Sequence, residues 1–109
     1  MAKYLIEASY SQMGLKALVK DGGTGRKKAV EAATKALGGR LESMYFAFGT
    51  SDIYAIVDAP DNITVAAFAL AVGGTGIAAH LKTVVLLTPE EVDQAAKKSA
   101  SSGYRAPGA

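Results

Sequence analysis

The chain has 109 residues, 50% of them hydrophobic, with twelve basic and ten acidic side chains, one histidine and no cysteine. That length holds one domain of ordinary size with a core of its own, and a net charge of +2 supplies no field that would gather nucleic acid or an anionic membrane. The lack of thiols excludes disulfides, thiolate metal sites, iron–sulfur clusters and a cysteine nucleophile. Glu7 interrupts any signal-peptide core. The most apolar stretch, Ile63 to Val72, is about half the length that spans a bilayer. The expectation is a soluble cytoplasmic protein with neither nucleic acid nor membrane as a partner.

Residues 3–10 are rich in strand formers, and strand alternation puts Tyr4, Ile6, Ala8 and Tyr10 on one face and Leu5, Glu7 and Ser9 on the other. Ser9 or Ser11 is placed to cap a short helix running to about Lys20, and Asp21-Gly22-Gly23-Thr24-Gly25 breaks it. A second helix is predicted from about Thr24 to Leu37, with an inner stripe of Val30, Ala33, Thr34 and Leu37. Gly38-Gly39 ends it as a left-handed cap.

Residues 40–48 and 52–58 read as strands joined at Gly49-Thr50-Ser51-Asp52. With Thr50 and Ser51 as the loop, Ala47 pairs with Tyr54, Tyr45 with Ile56 and Ser43 with Asp58. Met44, Phe46 and Phe48 then share an apolar face with Ile53, Ala55 and Val57, expected to lie under the helices. Pro60 stops that strand and suits the first turn of a helix over 63–72, apolar nearly all round and ended by Gly73-Gly74-Thr75-Gly76. Residues 77–88 form a last strand whose run from Val84 to Leu87 needs cover on both faces. Thr88-Pro89-Glu90-Glu91 starts a final helix with a cap, a proline and two acids against the dipole, fading near Lys98.

The order β, α, β, β, α, β is the ferredoxin-like pattern: an α+β domain over residues 1–98 with a four-stranded antiparallel sheet, helices on one face and an extra C-terminal helix. Residues 99–109 read as a tail or arm. The other sheet face carries Leu5, Leu41, Tyr45, Ile56, Val84 and Leu86, too apolar to stay wet. Packing it on a second copy gives a two-fold dimer with a barrel-like interior, or a higher assembly of such dimers.

Several segments also resemble a known family. Leu37-Gly38-Gly39-Arg40-Leu41, Tyr45-Phe46-Ala47-Phe48-Gly49, Asp52, and Ile56-Val57-Asp58-Ala59-Pro60-Asp61 are similar to the GYD-domain family, placed with the dimeric α/β-barrel folds. The likeness runs end to end: it takes in Arg26, then the stretch from Lys82 to Glu91, then Tyr104-Arg105 with Pro107-Gly108. It departs at the family's Gly-x-Tyr-Asp signature, which reads Gly49-Thr50-Ser51-Asp52, so that Ser51 stands where the family has tyrosine. The resemblance implies a ferredoxin-like fold and a dimer, and no agreed activity.

The polar set expected on the dimer-facing side is Glu7, Ser9, Ser43, Tyr45, Tyr54, Asp58, His80 and Lys82. Ser9, Tyr45, Tyr54, His80 and Lys82 are the ligand-binding candidates there. His80 and Asp58 are the candidates for moving a proton, carboxylates beside Lys or His being groups whose pKa values shift. His80 is also the only imidazole available to a haem iron, but a conventional multi-ligand metal site needs more than one histidine, and no metal or other cofactor is expected. Gly23, Gly25 and Arg26 form a second candidate, because glycines at a helix start let backbone amides approach an anion. Their spacing is not that of a P-loop, and a plain link between helices accounts for them. Asp52 reads as a turn residue accepting backbone hydrogen bonds. Two function classes stay open: a non-catalytic module binding a small molecule or partner, and a cofactor-independent α/β-barrel enzyme of the monooxygenase or isomerase kind.

Overall fold

The computed structural model describes residues 1–108. Its elements are β1 (Ala2–Tyr10), α1 (Gln12–Ala36), β2 (Arg40–Phe46), β3 (Ile53–Ala59), α2 (Asn62–Gly73), β4 (Ala78–Leu86) and α3 (Pro89–Ser99). The four strands form one open sheet in the order β2-β3-β1-β4, with every neighbouring pair antiparallel. The architecture is ferredoxin-like. α1 and α2 pack on one face, where Tyr4, Ile6, Val57 and Ala59 of the two central strands meet Val65 and Phe68 of α2. The Tyr4 hydroxyl donates to Asn62 Oδ1 at 2.6 Å, so the most buried aromatic leaves no polar atom unpaired.

The helix ends follow from local chemistry. Ser11 caps α1 by accepting from the Gly14 amide at 3.1 Å. The two helices expected over 11–37 are one element broken at a single residue, Gly22, whose φ of 75° and ψ of 165° are all but closed to residues with a Cβ. At the far end Gly38 takes φ 88°, and the Gly39 and Gly38 amides donate to Thr34 and Lys35 at 2.8 and 3.0 Å, a Schellman closure. Thr34 is buried, and its hydroxyl donates back to the carbonyls of Val30 and Glu31. α3 carries a complete capping box between Thr88 and Glu91.

The β2–β3 pairing differs from expectation. Tyr45 faces Tyr54 and Ser43 faces Ile56, two residues from the expected register, and beyond an irregularity between Leu41 and Ser43 Arg40 faces Asp58, three residues from it. The loop is longer than a two-residue turn: the Ala47 amide donates to the Asp52 carbonyl, and the Asp52 amide is taken up by Ala8 of β1. A shift of two keeps the faces, so Met44 and Phe46 still lie with Ile53, Ala55 and Val57. Phe48 falls in the loop and is fully exposed. The bulge at Glu42 changes parity, so Leu41, expected on the open face, pairs with Val57 and packs against the core beneath the helices.

β4 is incompletely covered within one chain: Val85, and Leu87 just after the strand, are each 58% exposed. No residue of α3 is buried. The helix and the tail after it extend from the body, giving a long axis of 58 Å and a radius of gyration of 17.2 Å. A compact chain of this length would have about 13 Å. The last tail residue, Ala109, lies outside the described residues.

Candidate functional site: a chamber beneath the helices

Where the two central strands pass under the helices they present Ala8 and Ala55, flanked by Ile53, Met44 and Leu81. Two alanines on the helix-facing side leave the layer between sheet and helices underfilled. The result is a chamber of about 60 Å³, walled by those residues with Ile6, Val57, Val30, Phe68, Val72, Ile77 and Ala78. An outer cleft of about 160 Å³ lies between α1 and α2, and Arg26, Val30, Phe68, Val72 and Ile77 line both spaces. Chamber and cleft therefore lie on either side of the same five side chains.

Two side chains bring polar groups to this apolar wall. Tyr10 arrives from the end of β1, where a register shift after Ser9 pairs it with Ala78. Arg26 arrives from α1, one turn beyond the break at Gly22. Its side chain is 20% exposed, and Nη1 lies 3.4 Å from Asp21 Oδ2. Burial pushes the Tyr10 hydroxyl above the ordinary tyrosine pKa, and the Arg26 guanidinium close beside it opposes this. The Tyr10 amide donates to Asp52 Oδ2 at 2.8 Å, so Asp52 ties the hairpin loop to β1 rather than closing a bond within its own turn.

The open face gathers the other candidates in rows set by the register. Tyr45, Tyr54, Glu7 and Lys82 lie side by side across the sheet, next to a row of Ser43, Ile56, Leu5 and Val84. Lys82 Nζ is 3.9 Å from Glu7 Oε2. Ser9 pairs with His80 at one end, and the Ser9 hydroxyl donates to the Thr50 carbonyl at 2.6 Å. At the other end Asp58 pairs with Lys3 and Arg40 at 2.8 and 2.7 Å, and Lys3 also reaches Glu42 at 2.6 Å. The Lys3 ammonium, then Arg40, hold the Asp58 carboxyl below the usual carboxylate range, while Asp58, with Glu42 second, raises Lys3. Asp58 faces Lys3 and His80 faces Ser9, six residues apart along β1, so about 20 Å separates them within one chain.

Gly23 and Gly25 lie just past the α1 break: Gly23 backs onto the Phe46 ring, and Gly25 sits against the Asp21 side chain. The anion beside Arg26 is the chain's own Asp21. Among the described residues no group of three or more acidic or histidine side chains is placed to hold a metal ion, and no helix is long and apolar enough to cross a membrane. Tyr10 entered the sequence reading only as a helix-facing strand residue. Its place beside Ala8 in the alternation was the available signal.

A four-stranded antiparallel sheet with two helices on one face and a chamber between the layers defines a ferredoxin-like α+β domain. The chain belongs to the GYD-domain family, whose model matches residues 4–96. No curated protein matches it.

Proposed function

We propose that this GYD-domain protein is a dimeric, cytoplasmic small-molecule-binding module whose ligand enters between α1 and α2 and seats against the sheet at Ala8 and Ala55. The observation that carries this reading is the chamber itself, apolar on nearly every wall, sharing five side chains with an outer cleft and furnished with two polar side chains. Ligand sites are typically concave and apolar with a few placed polar groups. The walls away from Tyr10 and Arg26 are apolar, so hydrocarbon placed against them displaces no hydrogen-bonded water. The open-face residues Ser9, Tyr45, Tyr54, His80 and Lys82, expected from the sequence to hold the ligand, belong in this reading to the dimer face.

The dimer packs the two open sheet faces together as a closed α/β barrel. Its centre is the Ile56–Leu5–Val84 row, and Glu7, Lys82, Lys3 and Asp58 flank it. An apolar core with a charged rim is the usual anatomy of an interface. The accessible surface is 7353 Å². A compact monomer of 11.2 kDa exposes about 5,700 Å², so each chain carries roughly 1,600 Å² more. A stable interface buries about 800 Å² per partner, and the excess area supplies that even when the projecting helix accounts for half of it.

Native mass spectrometry of the purified protein tests both parts. A dimer mass with an added small mass is expected, and Ala55→Phe, which fills the chamber, removes the added mass while leaving the dimer. Val84→Asp gives monomer. A monomer for the unaltered protein, or a soluble dimer for Val84→Asp, refutes the interface; retention of ligand by Ala55→Phe refutes the chamber.

A further inference from the structure

Two buried polar atoms on the chamber wall have no hydrogen-bond partner among the described residues: the Tyr10 hydroxyl oxygen and Arg26 Nε. Buried polar groups are normally paired, and leaving one unpaired carries a real penalty. The two atoms share one chemical capacity. Arg26 Nε–H can only donate, and the Tyr10 hydroxyl, protonated at neutral pH as any tyrosine is, has a proton to donate as well. One acceptor oxygen with two lone pairs satisfies both donors at once.

The surrounding charge narrows the acceptor further. Arg26 already faces Asp21 across 3.4 Å, and Asp21 and Asp52 both act on the Tyr10 hydroxyl. A second carboxylate brought to this corner would confront two existing ones against a single engaged guanidinium. A neutral oxygen meets no such opposition. The remaining walls of chamber and cleft offer hydrocarbon contact along Val30, Phe68 and Val72.

We infer that the chamber takes an apolar molecule bearing a neutral carbonyl oxygen, which accepts hydrogen bonds from Arg26 Nε and the Tyr10 hydroxyl while its hydrocarbon body runs out between α1 and α2. This rests on the chamber being the ligand site, and it adds the chemistry of the ligand's polar end.

Isothermal titration calorimetry on the full chain with three one-ring probes tests it: acetophenone, ethylbenzene and benzoate. Two hydrogen bonds correspond to acetophenone binding roughly tenfold or more tighter than ethylbenzene, with benzoate the weakest. Tyr10→Phe, which removes one oxygen and nothing else, and Arg26→Met each reduce that preference, and the double variant abolishes it. Circular dichroism melts confirm that the variants are folded. Equal affinity for acetophenone and ethylbenzene, both blocked by Ala55→Phe, overturns the carbonyl inference and leaves the chamber as the site. Benzoate binding tightest overturns it in favour of an anion site. A preference that survives in the double variant overturns the role of these two donors. No binding of any probe overturns this inference together with the chamber reading.

Discussion

Phe68→Ala tests whether α2 is seated on the sheet as described. Phe68 is 7% exposed, contacts the Tyr4, Ile6 and Val57 cluster, and forms a shared wall of chamber and cleft. Removing a buried phenyl ring costs about 3–5 kcal/mol, the sum of lost transfer energy and the cavity left behind. The cleft leaves one side of the ring near solvent, where the enlarged space can hydrate, so the expected loss is at the lower end, about 3 kcal/mol. A domain of this size has about 5–15 kcal/mol in total. With a urea slope of about 1.5 kcal/mol per M, the unfolding midpoint falls by about 2 M. The assay is urea unfolding followed by circular dichroism at one fixed protein concentration, because the proposed dimer would link stability to concentration. A fall of less than about 0.5 M at unchanged slope would refute the packing of α2 on β1 and β3.

Two glycines separate space from conformation. At Gly14 a Cβ would overlap the Ile77 carbonyl and press on the Tyr10 ring, so Gly14→Ala should cost about 1–3 kcal/mol through backbone displacement. At Gly22 nothing lies within 4 Å, and Gly22→Ala should cost about 1–3 kcal/mol through its φ of 75° alone; in urea unfolding, an unchanged midpoint for either variant would contradict the geometry. For Asp58→Asn the sign follows from a carboxyl held below its unfolded pKa by Lys3 and Arg40. Its stabilisation is complete above the unfolded value of 3.8 and is lost as pH falls through the lower folded value, so wild type exceeds the variant at pH 6 and converges with it in acid. A stability gap that widens on acidification would contradict that network. Thr88→Ala removes the α3 capping box and should cost the helix about 1 kcal/mol, seen as faster amide exchange within Pro89–Ser99 while exchange in the sheet stays unchanged; loss of protection in β1 would mean that α3 supports the body.

The features legible in the sequence are those with local causes. The face split of β1, the glycine closure after α1 and the Thr88–Glu91 cap each depend on residues within a few positions of one another, and each appears as read. The β2–β3 register was not legible, because its anchor is distant: the Asp52 amide bonds to the Ala8 carbonyl, more than forty residues earlier in the chain. Nor was the face of Leu41. Its parity depends on the bulge at Glu42, and through that bulge Arg40 and Glu42 both reach the Lys3–Asp58 cluster on the open face. Leu41 joins the core while its two neighbours reach the ion network on the opposite face.

The chamber lay beyond sequence reasoning for a related reason. Ala8 and Ala55 are unremarkable singly, and they create space only because β1 pairs with β3 and brings them under the same helices. Arg26 shows the sharper limit. Glycines followed by basic residues are compatible with a cradle for an outside anion, and with a hinge that turns one of those residues inward. Composition is identical in the two cases, and direction separates them. Here Gly22 breaks the helix, Asp21 takes up part of the guanidinium, and Nε is left buried against an apolar wall. A positive charge that has its counter-ion within the chain has little left to offer an anion, while its remaining N–H still seeks an oxygen. The motif that suggests phosphate by spacing therefore supports a neutral acceptor by placement, and Arg26→Met should weaken acetophenone binding without touching any affinity for inorganic phosphate.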